Sequence, residues 1–259
     1  MPMRMTILML LSALALALAG GCKDQPPPTT PSMENQSVDI PPLQDELATI
    51  FRLIEQDQTG SARIRLRNWM QANGEDARAL FLFGLAYQRE KRYAPAADWF
   101  DKATLAQPVY PPTWHFLGWS RYYLGQPRAS EAAFRHHLRL TPGESDSAYG
   151  LGLVMLDDGR LVEAEAFFQQ SIDQLEGQED RREDLAKGLF RLAQVQELRD
   201  NDVEARRLLE QSVATNDRIE EAWFRLIRVC HRLGDEPAAR VAQARHDELA
   251  TNPPHGATP

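Results

Sequence analysis

Four features of this chain carry side chains capable of chemistry: Cys22 and Cys230, the adjacent His136 and His137, the GLG at 150–152, and the aromatic run WHFLGWSRYYLGQP at 114–127. Two thiols allow at most one disulfide. Neighbouring histidines on a helix point about 100° apart and lack the i, i+4 placement of a two-histidine zinc site, so a structural or solvated role is expected for the pair. GLG does not follow a strand pattern, as a phosphate-binding loop would. The chain has no Gly-x-Ser-x-Gly elbow and no metal-type His/Glu motif. The aromatic run is different, because it packs five rings and a histidine into fourteen positions of a chain that is only 8% aromatic. Exposed Trp and Tyr supply large contact area at low entropic cost. The chemistry on offer is recognition, and the expectation is a protein that is not an enzyme and uses no metal or cofactor.

The elements that must position those residues begin after a leader. The chain opens MPMRMTILMLLSALALALAGGCKD, with one positive charge at Arg4 and an uncharged apolar run from Thr6 to Ala19. That is the pattern of a secretory signal, and the run is shorter than the roughly 18–20 residues of a spanning helix. LAGGC at 18–22 resembles a bacterial lipobox, although Ala19 stands where that consensus prefers Leu. The resemblance implies cleavage after residue 21 and lipidation of Cys22, and hence a place in the bacterial cell envelope. Lys23 directly after the cysteine implies an outer-membrane lipoprotein facing the periplasm, and Asp24 beside it keeps the inner membrane as the alternative. Residues 22–42 contain six prolines and no helical or strand periodicity, the composition of a disordered tether. As polyproline II, such a tether reaches up to roughly 60 Å. With 37 Asp and Glu against 29 Lys and Arg, a net charge of -8, the chain has no basic face for nucleic acid.

From residue 43 the sequence has a period of 34. With Ala77 as position 1, Gly84 falls at 8, Tyr87 at 11, Ala96 at 20, Phe100 at 24, Ala103 at 27 and Pro108 at 32. One period on stand Trp114, Leu117, Gly118, Gly125, Phe134 and Pro142, then Leu151, Gly152, Gly159, Ala164 and Phe168. A charged insert, EDRREDL at 179–185, interrupts the register and reads equally as a loop or as extra helical turns. This pattern resembles the tetratricopeptide repeat, which implies an all-α, right-handed α-solenoid of about six helix-turn-helix units: 43–76, 77–110, 111–144, 145–178, 186–219 and 220–253, with a disordered tail at 254–259. The prolines agree, since Pro95, Pro127, Pro112 and Pro237 all fall at helix beginnings, where proline is tolerated. Cys230 falls at a core position.

In the same family the concave surface is lined by positions 2, 5, 9, 12 and 13 of each first helix. The resemblance therefore implies a partner-binding groove of Phe81, Leu85, His115, Trp119, Tyr122, Tyr123, Tyr149, Leu153, Phe190, Phe224 and Arg228. Trp119 and Tyr123 are the least usual residues there, because positions 9 and 13 are more often polar. Groove charges are balanced, with Arg78, Arg89, Lys187, Arg228 and Arg232 against Glu55, Asp146, Asp157, Glu197 and Glu221. The expected function is a monomeric, non-catalytic scaffold that binds a protein or peptide partner, anchored to the membrane by its lipid. It resembles outer-membrane tetratricopeptide lipoproteins of three kinds: type IV pilus pilotins, components of the β-barrel assembly machine, and adaptors of peptidoglycan hydrolases. The alternatives are an accessory subunit of a periplasmic enzyme and a self-associating structural protein.

Overall fold

The computed structural model describes residues 45–251. The expected signal segment 1–21, Cys22, the tether to residue 42 and the tail 254–259 lie outside the described residues. Twelve α-helices and no strand occur among the described residues, and they form six antiparallel pairs. These are α1 (Asp45–Glu55) with α2 (Thr59–Asn73), α3 (Ala77–Arg89) with α4 (Tyr93–Leu105), and α5 (Pro112–Tyr123) with α6 (Pro127–Leu140). They continue as α7 (Ser145–Asp157) with α8 (Leu161–Leu175), α9 (Arg182–Leu198) with α10 (Asp202–Thr215), and α11 (Glu220–Arg232) with α12 (Glu236–Thr251). Each helix packs on the next, and α1, α3, α5, α7 and α9 also pack on one another in series. This is an α-solenoid.

Local chemistry sets the helix ends. Asp76 caps α3 by accepting from the Arg78 backbone N–H at 2.8 Å, and Pro112 and Pro127 open α5 and α6, where a missing N–H costs nothing. Between the helices of every pair the chain turns through one left-handed residue: Asp57, Lys91, Gly125, Gly159, Asp200 and Gly234, with φ from +57° to +73°. Three of the six are not glycine, yet the turn is kept, so it is imposed by the packing of the two helices and not by local preference.

Gly177, at φ +78°, ends the turn after α8, and the insert then forms a short 3₁₀ turn, Glu179–Arg181, that runs directly into α9. It is helical, not a loop, and it makes α9 seventeen residues long where α7 and α11 have thirteen.

Between the pairs the core repeats one device. Phe100, Phe134 and Phe168, all fully buried, lie against Gly84, Gly118 and Gly152 of the preceding helix so closely that an added Cβ would meet the ring at 2.5–2.6 Å. The buried apolar residues nevertheless form two clusters, one from Leu47 to Ala133 and the other from Phe134 to Ala242. Between them lies a polar layer. Thr113, Ser120, Ser130, His137, Ser145 and Ser147 are six of the eleven buried polar or charged residues, and all belong to α5, α6 and the start of α7. Ser130 donates to the Gly118 carbonyl at 2.8 Å, whereas the hydroxyls of Thr113 and Ser120 have no partner. Buried hydroxyls left unpaired subtract from stability, so the third helix pair is expected to be the weak link of the stack.

Candidate functional site

The polar layer has an ordered hydrogen-bond chain at its centre. The Thr141 hydroxyl donates to the His137 carbonyl at 3.0 Å, so its oxygen accepts from Nε2–H of His137, also at 3.0 Å. Nδ1 of His137 must then be the acceptor, and it takes the Ser147 hydroxyl proton at 2.8 Å. Ser147 Oγ in turn accepts from Nδ1–H of His115 at 2.9 Å. Every proton in the chain is assigned, and Nε2 of His115 is left as an acceptor without a protein partner. Burial holds His115 down at about 4, against a small opposing pull from Asp146, and burial beside the His115 and His136 rings holds His137 at about 3. Both imidazoles are neutral.

His115 also lines a cleft of about 260 Å³, together with Trp119 of α5, Asp146 and Tyr149 of α7, Ser171 and Leu175 of α8, and Asp184 and Lys187 of α9. Its far wall is built by the insert. Arg181 donates to Asp146 at 2.5 Å and to Asp184 at 2.6 Å, tying the 3₁₀ turn and the added turn of α9 to α7. Lys187 is held by Glu183 at 2.5 Å.

Beside the cleft the rings of Tyr93, Tyr123 and Trp119 stack in sequence, at 4.5 Å between the tyrosines and 6.0 Å between Tyr123 and Trp119. Trp119 also meets Phe134 edge-on at 5.3 Å and approaches Tyr149 at 6.4 Å, so one side of its ring belongs to the core. Tyr123 is 55% exposed. Tyr122 donates to Asp157 at 2.8 Å, and burial together with that carboxylate pushes its phenol up to about 12. His115, Trp119, Tyr122, Tyr123 and Tyr149 thus come together on one surface.

Six of the expected groove residues do not, and three of these are core. Phe81, Leu153 and Phe190 are buried, at 3%, 8% and 4% exposure, and contribute to the core instead. The cause for Phe81 is the segment leading into α5 and α5 itself, whose Tyr110 and Phe116 rings cover it at 5.0 and 5.3 Å. Leu153 lies within the second apolar cluster, and Phe190 is covered by the guanidinium groups of Arg191 and Arg225. Leu85 is half-buried against the first cluster. Phe224, 48% exposed, and Arg228, whose guanidinium lies 6.0 Å from the Phe224 ring centre, form a separate surface on α11 beside a second cleft of about 360 Å³. Trp114 stacks on His136 at 3.9 Å, and Cys230 is buried with its thiol pushed up by that burial.

Tyr93, Ser147 and Asp184 are site residues that the groove positions do not include. Tyr93 opens a second helix, whereas the family frame considers only first helices, and Asp184 sits in the insert that breaks the register. The signal for Tyr93 is its adjacency, one unit back, to the turn that follows Tyr123.

The fold and this surface define a helical-repeat protein with a cluster of aromatic rings on one face. Family models of the tetratricopeptide repeat match residues 77–110 and 144–217, and the chain is an α-solenoid of tetratricopeptide repeats. No curated protein is significantly similar in sequence. Among solved structures, the Pseudomonas aeruginosa PilF superposes with a TM-score of 0.68 at 16% identity, over 80% of this chain and 91% of that one. PilW, described as a widely conserved type IV pilus biogenesis factor, gives 0.67 at 17% identity over 82% and 94%. YrrB, described as a tetratricopeptide protein with an unusual peptide-binding site, gives 0.57 at 18% identity over 68% and 88%. At these identities the likeness is one of fold.

Proposed function

We propose that this protein is a non-catalytic adaptor, anchored by lipid at Cys22 to the outer membrane and facing the periplasm, that holds a segment of a partner protein against the Tyr93–Tyr123–Trp119 stack in envelope or pilus assembly. The observation that carries the recognition part is Tyr123, a large ring more than half exposed and supported from both sides by other rings. An aromatic anchor fixed in this way loses little entropy on binding. The repeat fold supports the reading, because stacked helix pairs create extended binding surfaces. The similarity to PilF and PilW in fold supports the pilus context, and the lipobox resemblance of LAGGC supports the anchor.

The test is capture of partners from detergent-solubilised envelopes by the full chain and by Tyr123→Ala, which removes an exposed ring and leaves the Trp119 contacts with the core intact. The variant should bind about 30-fold more weakly; a partner retained equally by both removes recognition from this surface. The anchor has its own test. Cys22→Ala should move the chain out of the detergent-soluble membrane fraction, and a variant still labelled by radioactive palmitate would show that Cys22 is not the lipidated residue.

A further inference from the structure

We infer that the cleft between α5, α7 and α9 seats a basic side chain, an arginine or lysine of the bound segment. This rests on the adaptor reading and adds to it the chemistry of one partner residue. At about 260 Å³ the cleft has room for a single long side chain. Its walls suit such a chain from stem to tip, with Leu175 and the Trp119 and Tyr149 rings beside the methylenes and acceptors beyond them.

The acceptors outnumber the donors. Nε2 of His115 is a lone-pair site, because the hydrogen-bond chain through Ser147 and His137 commits its Nδ1–H elsewhere. Asp146 receives Arg181 on Oδ1, which leaves Oδ2 open. Asp146 and Asp184, which line the cleft, are bridged by Arg181, and the lining Lys187 is held by Glu183, so three carboxylates stand against two cations. An acidic partner residue would meet like charge here, and an apolar one would strip water from His115 Nε2 and Asp146 without replacing its hydrogen bonds. A guanidinium or ammonium satisfies both.

A random dodecapeptide library selected on the immobilised full chain tests this. Selected peptides should be enriched in Arg or Lys at one position. Asp146→Asn, which keeps the shape of the residue and removes its charge, should weaken the best peptide by about tenfold. Replacing that peptide's arginine by citrulline should cost a similar factor on the unaltered protein. Peptides that depend on Tyr123 but show no basic enrichment would overturn the inference and leave the adaptor reading standing. Basic peptides that bind Asp146→Asn as well as the wild type sit elsewhere and would also overturn it. If no peptide is selected above background, the groove reading fails and the basic subsite fails with it.

Discussion

Lowering the pH from 7 to 5 will reduce the unfolding free energy by about 3–4 kcal/mol, roughly 2 kcal/mol for each of His115 and His137. The sign follows from burial. Both rings are held neutral in the folded protein, at about 4 and about 3, whereas an unfolded histidine takes up its proton near 6.5. The unfolded state therefore binds more protons between those values, and stability present above pH 6.5 is lost as the pH falls toward 4. Carboxylates act in a lower window. Asp202 is held down by the hydrogen bond from Arg232, and Glu204 by the one from Arg207, so they give up stability only as the pH falls below their ordinary values of 3.8 and 4.5. A urea titration at pH 7 and at pH 5 separates the two windows. The midpoint should fall steeply already at pH 5, and amide exchange should accelerate first in α5, α6 and α7. An unchanged midpoint would mean that the histidines are not buried in their neutral form.

This acid-sensitive layer was the part of the fold least legible in the sequence. The helix pairs were legible, because the 34-residue spacing of Gly84, Gly118 and Gly152, and of Phe100, Phe134 and Phe168, reflects one physical contact repeated three times. His137 and Ser130 stand where the repeat ordinarily has small apolar residues, and read along the chain they are only departures. Their meaning needs the partners, since Ser147 and Thr141 turn His137 from a misfit into a member of a satisfied network, and Ser130 finds a carbonyl twelve residues away. The aromatic surface was half legible. Trp119, Tyr122, Tyr123 and Tyr149 do lie together, but position within the repeat does not say how far the next helix pair leans over a given ring, and that decides why Phe81 is covered and Tyr123 is not. The cleft wall that Asp184 forms, tied to Asp146 by Arg181, was not legible, because a seven-residue insert has no position in the repeat frame.

The cleft and the polar layer share one structural support, and removing it gives the second large effect. Phe134→Ala should destabilise the protein by about 4 kcal/mol, the range for deleting a fully buried ring that leaves a cavity. The ring has no exposed surface and is clasped between Gly118 and Gly150, where an added Cβ would approach it to 2.6 and 2.5 Å. Those glycines belong to α5 and α7, so Phe134 joins two helix pairs as well as filling one. It also meets the rings of Trp119 at 5.3 Å and His115 at 6.2 Å. Phe100→Ala deletes an equally buried ring inside the first apolar cluster, and the same loss is expected there. What distinguishes the two is cooperativity. In a stack whose stability is a sum over neighbouring units, weakening a strong interface lowers the whole transition, whereas weakening an already polar one uncouples the two sides. Phe134→Ala should therefore unfold in two steps in urea and Phe100→Ala in one. A single, merely shifted transition for Phe134→Ala would mean that the polar layer transmits stability as well as the apolar interfaces do, and that the third helix pair is not the weak link of this solenoid.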